Sequence, residues 1–178
     1  VNLLNKLNIT SNLVSKETHL SNHTLIIPGV SSAKYFMNSL LKNNFEKIIY
    51  QHLSNGNRII GICLGFQMLN KYSEEDGGVK GLGLIDGNVK RYYNNGYKHN
   101  NGWLKFEFDK RLIKSNILNQ LKLSKKVKLT GRVYYNHDYA VVLNENSMGV
   151  NYCIPDTNYS SIYIKDNIIG IQFHPEKS

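Results

Sequence analysis

Apolar residues in the first half of the chain alternate between strand-like and helix-like spacing. Leu25–Ile27 and residues 58–62 are short apolar runs rich in β-branched residues, which suits buried strands. Between them, residues 32–54 carry apolar positions at helical spacing with an interruption near Asn43, which predicts two helices. Residues 64–71 contain helix formers and no proline, so we expect a further helix there. This succession predicts an α/β fold with a mostly parallel central sheet flanked by helices. The apolar stripe of the first two helices comprises Leu40, Leu41, Phe45, Ile48, Ile49 and Leu53.

In the second half, shorter apolar runs are separated by glycine and asparagine, which predicts additional antiparallel strands. Asp166-Asn167 is a typical two-residue hairpin turn between two of them. The predicted strands are 85–93, 103–108, 133–142, 149–154, 160–165 and 168–173. Short helices are predicted within residues 1–8 and around 112–118. We also expect Cys153 to be buried as a small apolar residue, and the tyrosines to pack on sheet faces at 92, 93, 134 and 135.

Length and composition indicate a single globular domain over residues 1–178, with 41% hydrophobic and 20% charged residues. The chain has no apolar run long enough to cross a membrane, and residues 1–23 do not resemble a signal peptide. Its two cysteines do not form a disulfide framework. We therefore expect a cytoplasmic protein without a membrane association, in a compartment where thiols stay reduced.

A net charge of +9 raises the question of nucleic-acid binding. The lysines are spread along the chain, however, and the tight cluster among them is Lys122, Lys125, Lys126 and Lys128. No zinc-ligand spacing or helix-turn-helix pattern accompanies that cluster. A charged, solvated surface explains the charge better, so we expect no nucleic acid as partner.

The strongest chemical motif is Gly61-Ile62-Cys63-Leu64-Gly65, between a predicted strand and a predicted helix. A nucleophile flanked by glycines at i−2 and i+2 is the pattern of a nucleophile elbow, here with Cys instead of Ser. The helix start behind Cys63 favours a thiolate and offers backbone N–H groups to an oxyanion. A buried cysteine with glycines that only form the turn is the alternative.

A second motif lies at the end of a predicted strand near residue 173. His174-Pro175-Glu176 places an imidazole two residues before a carboxylate, the pairing of a general base with the group that orients it. A histidine alone is more often structural. Together with the cysteine elbow, the motif predicts a Cys-His-Glu triad.

With these motifs the chain resembles the class I (triad) glutamine amidotransferases, and among them the glutaminase subunits of imidazole glycerol phosphate synthase. The resemblance spans nearly the whole chain and implies that family's fold, with no cofactor and no metal. The segments that carry it are Pro28-Gly29-Val30, Gly61 to Gln67, Ser73-Glu74-Glu75, Gly81 to Ile85, Gly102-Trp103, Tyr134 to Tyr139 and Gln172 to Ser178.

The resemblance implies a role for each matched position. Cys63 would be the nucleophile that attacks the side-chain amide of glutamine, His174 the acid–base group and Glu176 its orienting carboxylate. The implied oxyanion donors are the amides of Leu64 and of the loop containing Val30 and Ser31. The implied glutamine-binding residues are Gly29, Gln67, Glu75, His137, Asp138 and Tyr139. Residues implied to face a (β/α)8-barrel cyclase subunit, in a heterodimer, are Trp103, Tyr134 and Lys177. Gln67 and Glu75 could instead be helix-surface residues, and Trp103 a core residue.

Three positions depart from the family pattern. Ser31 replaces a glycine, which makes positive φ values less accessible to a loop that has to turn a peptide toward the oxyanion. Asn100 stands where the family has a histidine, and His99 lies one residue earlier. Asp138 replaces a small hydroxyl residue. The family also has a strand before the first helix and a helix after residue 178, and we expect this chain to lack both.

The function that follows is hydrolysis of L-glutamine to glutamate and ammonia, with the ammonia channelled to a synthase partner in histidine biosynthesis. A paralogous subunit could instead supply ammonia for amidination of surface-polysaccharide sugars. A non-catalytic scaffold that binds the barrel partner is a second alternative, against which the intact triad argues. A peptidase or γ-glutamyl hydrolase with a cysteine elbow is a third, and the set Gln67, Glu75 and 174–178 fits it less well.

Overall fold

The computed structural model of the chain describes residues 2–14, 23–107, 130–145, 147 and 149–177. The described helices are α1 (Asn2–Lys6), α2 (Ala33–Lys42), α3 (Phe45–Ser54) and α4 (Leu64–Met68), with 3-10 turns at Glu75–Gly77 and Pro175–Lys177. The described strands are β1 (Leu25–Ile27), β2 (Ile59–Ile62), β3 (Tyr72–Ser73), β4 (Val79–Lys80), β5 (Gly87–Arg91), β6 (Asn100–Glu107), β7 (Thr130–His137), β8 (Tyr139–Leu143), β9 (Val150–Cys153), β10 (Ser160–Lys165) and β11 (Ile168–Ile171).

The largest sheet contains five strands in the order β1-β2-β11-β10-β9. β1 and β11 both run parallel to β2, one on each side, with Ile27 opposite Gly61 and Ile171 opposite Ile62. β10 and β9 continue the sheet in antiparallel fashion, and the turn from β10 to β11 is the predicted Asp166-Asn167 hairpin, with Asp166 at a φ of 50°. The predicted α/β architecture is thus confirmed, with its antiparallel strands at one side of the parallel core.

Two smaller sheets hold the remaining strands, one of four strands in the order β4-β3-β5-β8 and one that pairs β6 with β7. β7 and β8 are nearly continuous in sequence, yet β7 pairs with β6 while β8 pairs with β5. The prediction of one strand over residues 133–142 is therefore wrong, because the chain changes sheets at Asp138. The corner that results carries three of the predicted site residues.

Helix α4 ends at Met68, three residues before the predicted end at residue 71. The buried Asn70 accounts for the early end, because its Nδ2 donates to the carbonyl oxygens of Phe66 and Gln67 at 2.9 and 3.3 Å. The amide of Leu82 donates to Met68 O at 2.8 Å as well. The segment that precedes β5 thus helps to satisfy the carbonyl groups at the helix end.

Phe66 on α4 lies at the centre of the main core and has no exposed surface. A Cβ on Gly170 of β11 would lie 2.0 Å from the Phe66 ring, so the glycine allows the helix to approach the sheet closely. The core continues through buried aliphatic residues of the neighbouring helices and strands: Ile27, Met37, Leu40, Ile49, Ile59, Leu69, Ile85, Val89 and Val141. This packing fixes α4, and with it the elbow, against β2 and β11.

Three predicted burials are wrong. Leu41 is 47% exposed because it lies on the solvent side of α2, and Tyr93 is 60% exposed beyond the end of β5. Cys153 is exposed because β9 is an edge strand. The helix predicted around 112–118 and the lysine cluster lie outside the described residues. No helix within the part of the chain that the structure describes is long and apolar enough to span a membrane.

Candidate active site

The elbow at Cys63 connects β2 directly to α4, and its backbone is held at φ 53° and ψ −113°. A non-glycine residue in this region is strained, and such strain is typical of functional sites. A Cβ on Gly65 would lie 1.8 Å from the carbonyl oxygen of Ile27, and one on Gly61 would lie 2.8 Å from Phe66 N. Both flanking glycines are therefore required by close backbone approach, as the motif predicts.

His174 follows β11, so it lies at the same sheet edge as Cys63 at the end of β2. The Cys63 amide donates to Ile171 O at 2.7 Å, which keeps the two chain segments paired up to the nucleophile. His174 is 6% exposed, and its Nδ1 lies 2.7 Å from Glu176 Oε1. The contact with Glu176 orients the ring through Nδ1, so proton exchange with a thiol would involve Nε2.

The Cys63 thiol is only 6% exposed, and burial raises its pKa to about 11. The backbone amide of Leu64 acts in the opposite direction, as a hydrogen-bond donor to the thiolate lowers the thiol pKa. The carboxylates of Glu176 and Glu75 raise the pKa further through their negative charge. The thiol is consequently protonated at neutral pH in the substrate-free chain.

The predicted oxyanion loop lies against the start of α4. A Cβ on Gly29 would approach Leu64 Cβ to 2.8 Å and Gly65 N to 3.1 Å, so the glycine permits this contact. Val30 at the tip of the loop is 89% exposed, and Ser31 beside it is also exposed. The structure thus places the loop beside the elbow, where its amides could supplement that of Leu64.

Gln67 is 4% exposed, so the alternative that it is an ordinary helix-surface residue is wrong. Its Nε2 donates to Tyr139 O at 2.7 Å and to Gln172 Oε1 at 3.2 Å. Gln172 has no exposed surface, and its Nε2 lies 3.8 Å from Cys63 Sγ. Because both amide hydrogens of Gln67 are engaged, its carbonyl oxygen is the group it can offer to a substrate.

Glu75 lies half-buried on the first 3-10 turn, next to the start of α2. Burial raises the pKa of its carboxyl, and the nearby Asp76 raises it further, whereas the amide of Ala33 and the guanidinium of Arg91 lower it. Glu75 is close enough to Cys63 for its charge to affect the thiol. A carboxylate in this position suits an ammonium group.

His137 is 7% exposed at the corner between β7 and β8. Its Nε2 lies 3.2 Å from Asn100 Nδ2, so Asn100 donates to the ring. Burial lowers the pKa of His137 to about 4, and the nearby His174 lowers it as well. His137 is therefore neutral at pH 7 and cannot supply a positive charge to the site.

Two of the departures from the family pattern, Asp138 and the histidine at position 99, are in contact with each other. Its Oδ1 lies 2.6 Å from His99 Nδ1, and its Oδ2 lies 3.7 Å from an Arg91 nitrogen. Arg91 also donates to the Tyr139 hydroxyl at 3.2 Å and lies over the Tyr139 ring. The histidine displaced to position 99 thus pairs with the aspartate at position 138, on the solvent side of the site.

Trp103, Tyr134 and Lys177 lie next to one another on the surface. The rings of Trp103 and Tyr134 are 5.7 Å apart, and Lys177 Nζ lies 4.5 Å from the centre of the Tyr134 ring. Trp103 is 45% exposed, so it is not a core residue. The His174 amide donates to Tyr134 O at 2.8 Å, which connects this surface to the predicted base.

Gln172 and Arg91 are site residues to which the sequence motifs assign no role. Gln172 could have been found, because it lies two residues before His174 and alternate residues of an extended segment share a side. Arg91 carries no such signal, since it reaches the site only through the pairing of β5 with β8.

The comparisons with known proteins agree on one family. A model of the family glutamine amidotransferase class-I matches residues 2–178. Imidazole glycerol phosphate synthase subunit HisH of Geobacillus thermodenitrificans is 34% identical over 160 residues, covering 86% of this chain and 70% of that protein. The HisH subunit of Buchnera aphidicola is 34% identical over 178 residues, covering 98% of this chain and 83% of its own.

Solved structures match the fold. A glutamine amidotransferase crystal structure superimposes with a TM-score of 0.72 at 19% identity, covering 99% of this chain and 84% of the other. One from Thermotoga maritima gives a TM-score of 0.65 at 17% identity, covering 97% and 67% respectively. At these identities, the two likenesses show the fold alone.

Proposed function

Because the chain belongs to the class-I glutamine amidotransferase family, we propose that Cys63, His174 and Glu176 form the triad of a glutaminase subunit. This enzyme hydrolyses L-glutamine to glutamate and ammonia. The observation that carries the proposal is the strained Cys63 elbow at the end of β2, with a buried His174 that follows the paired strand β11 and that Glu176 orients at 2.7 Å.

In the first half-reaction, His174 takes the thiol proton through Nε2 as Cys63 Sγ attacks the side-chain amide carbon of glutamine. The new C–S bond gives a tetrahedral intermediate whose oxygen carries the negative charge. When the C–N bond breaks, the same proton passes from His174 to the departing ammonia. A γ-glutamyl thioester on Cys63 remains.

In the second half-reaction, water attacks the thioester while His174 accepts a proton from it. The C–S bond then breaks, glutamate leaves, and the proton returns to the Cys63 sulfur. Both tetrahedral intermediates need hydrogen-bond donors for their oxygen, which the amides of Leu64 and of the Val30–Ser31 loop would supply.

Substrate recognition rests on the groups around the thiol. The half-buried Glu75 would pair with the α-ammonium group of glutamine, and the Gln67 carbonyl oxygen would accept a hydrogen bond from it or from the amide. Gly29 lets the loop pack against Leu64 and Gly65, which keeps the loop amides beside the thiol that the substrate approaches. The corner residues His137, Asp138 and Tyr139 would line the pocket, partly through backbone atoms, since Tyr139 O already orients Gln67.

The relatives' name describes a subunit of a synthase, so a partner protein is implied. We propose that this partner is a (β/α)8-barrel cyclase that binds over Trp103, Tyr134 and Lys177 and receives the ammonia through a channel, in histidine biosynthesis. The raised pKa of Cys63 supports a subunit that is nearly inactive alone and is activated on assembly. A cysteine nucleophile that has to stay reduced also suits the cytoplasm.

The test is glutamate release from L-glutamine by the chain alone and with a barrel partner from the same genome, beside Cys63→Ala. We expect turnover that requires the partner and is lost in the variant. Turnover of γ-glutamyl peptides in preference to glutamine would instead indicate a hydrolase. Absence of turnover in a folded complex would refute the glutaminase and favour the scaffold alternative. Activation by a sugar amidotransferase alone would favour the paralogous pathway.

A further inference from the structure

Helix α2 begins with a cap that comes from a distant part of the chain. Ser32 is its N-cap residue, yet the Ser32 side chain makes no capping hydrogen bond to the helix. The Lys34 amide donates instead to Asp76 Oδ2 at 2.9 Å, across 42 residues of sequence. A capping side chain normally accepts from the second or third helical amide, and Lys34 is the second residue of α2. Asp76 therefore supplies the N-cap hydrogen bond that the Ser32 side chain does not make.

Electrostatics favours this cap. The Lys34 amide donates to the Asp76 carboxylate, and this hydrogen bond and the nearby Ser32 hydroxyl both lower the pKa of that carboxyl. A negative charge at a helix N-terminus is stabilised by the orphan amides and the helix dipole. Asp76 is consequently ionised at neutral pH and attached to the start of α2 by the Lys34 amide.

The start of α2 is also the end of the predicted oxyanion loop, because Ser32 directly follows Ser31. The other end of the loop is held by β1, where Ile27 pairs with Gly61 and its carbonyl oxygen lies against Gly65. The exposed tip at Val30 lies between these two attachments. Movement of the loop is thus confined to the few residues between β1 and the Asp76 cap.

The backbone at Asp76 is adapted to this contact. Asp76 has a φ of 55° and a ψ of 28°, and it is followed by two glycines that also have positive φ values. Aspartate tolerates this left-handed conformation better than most residues, but it still has a cost. A hydrogen-bonded contact to α2 compensates for a conformation that would otherwise be unfavourable.

We propose that Asp76 is a positioning residue that holds the α2 end of the oxyanion loop, so that the loop amide is aimed at the intermediate formed on Cys63. The proposal rests on the proposed glutaminase function. Both adjacent carboxylates lie at the start of α2, where Glu75 faces the Ala33 amide and Asp76 accepts from the Lys34 amide; Glu75 would in addition hold the substrate, whereas Asp76 would hold the loop. Loss of the Asp76 contact should then weaken the transition state more than substrate binding.

The test compares Asp76→Gly with Asp76→Asn in the complex with the barrel partner. Glycine accepts the positive φ but removes the cap, whereas asparagine keeps an acceptor oxygen and caps helices about as well as aspartate. We expect kcat of Asp76→Gly to fall about 10- to 100-fold with KM nearly unchanged, as a displaced oxyanion donor predicts. Asp76→Asn should stay within about threefold of the wild type.

Two further measurements do not depend on turnover. Hydrogen exchange at the Lys34 amide should accelerate in Asp76→Gly and stay slow in Asp76→Asn. Alkylation of Cys63 by iodoacetamide, in a Cys153→Ser background, should be equal in all forms because this displacement needs no oxyanion hole. If the wild-type complex is inactive, the proposed glutaminase function is refuted. The hydrogen-exchange data then still test whether Asp76 caps helix α2.

The proposal is overturned if Asp76→Gly retains wild-type kcat, or if Asp76→Asn loses as much activity as Asp76→Gly. A rise in KM at constant kcat would also overturn it, because that pattern assigns Asp76 to the ammonium subsite with Glu75. Unchanged exchange of the Lys34 amide in Asp76→Gly would show that the cap does not hold the helix start.

Discussion

Ionisation of Cys63 gives a quantitative prediction for the chain without its partner. Burial raises the pKa of the thiol from its ordinary value of 9.0 to about 11. At pH 8 the thiolate fraction is then about 100-fold smaller than for an unperturbed cysteine, which corresponds to about 3 kcal/mol. Because the thiolate is the reacting form, alkylation should be slow at neutral pH and accelerate about tenfold per pH unit up to about pH 11.

The assay is the rate of iodoacetamide alkylation of Cys63 as a function of pH. Cys153→Ser removes the other thiol of the chain, and the additional change Cys63→Ala gives the background rate. The same chain in urea is the matched control, since unfolding exposes the thiol and should return the midpoint to its ordinary range. The midpoint does not depend on steric access, which changes only the absolute rate. A plateau below pH 9 in the folded chain would refute the reasoning and would indicate a thiolate already paired with a cation.

Three further predictions concern packing, acid stability and the buried amide network. Gly65→Ala would place a Cβ 1.8 Å from Ile27 O, so the free energy of unfolding measured with urea should fall by about 4 kcal/mol or more. Burial lowers the pKa of His137 from 6.5 to about 4, so the unfolded chain binds a proton that the folded chain does not. Stability should therefore fall as the pH drops below 6.5, by up to about 3 kcal/mol near pH 4, and His137→Gln should lose this dependence. Gln172→Leu removes the donor to Cys63 Sγ, and kcat/KM of the complex should fall about tenfold.

Controls make each of these three decisive. Gly56 has a positive φ but open space around it. Gly56→Ala therefore introduces backbone strain without a clash. An equal loss of unfolding free energy in Gly56→Ala and Gly65→Ala would contradict the packing argument. Acid destabilisation that persists in His137→Gln would assign it to another group. Wild-type kcat/KM in Gln172→Leu would show that the buried amide contact to sulfur has no role in turnover.

Much of the first half of the fold is readable from the sequence because its signals are local. The apolar runs of β1 and β2, the interruption near Asn43 and the Asp166-Asn167 turn each specify their element within a few residues. The elbow is similarly readable, because the glycines at 61 and 65 flank Cys63 within five residues. The positions of Cys63 and His174 at one sheet edge then follow from parallel pairing.

The features that the sequence does not reveal depend on distant partners. The break at Asp138 arises because β7 and β8 pair with strands of different sheets, and the end of α4 is set by the buried Asn70. The exposure of Cys153 follows from the edge position of β9. Likewise, Asp76 is an unremarkable acidic residue until the fold brings it to the start of α2.

The most direct measurement of the central claim is covalent labelling of Cys63 during turnover. Radiolabelled glutamine would be mixed with the complex, quenched in acid within one turnover, and the labelled peptide identified. We expect label on the peptide that contains Cys63, released by hydroxylamine as a thioester would be, and none in Cys63→Ala. Steady glutamate formation without any label on Cys63, or turnover that survives in Cys63→Ala, would contradict it.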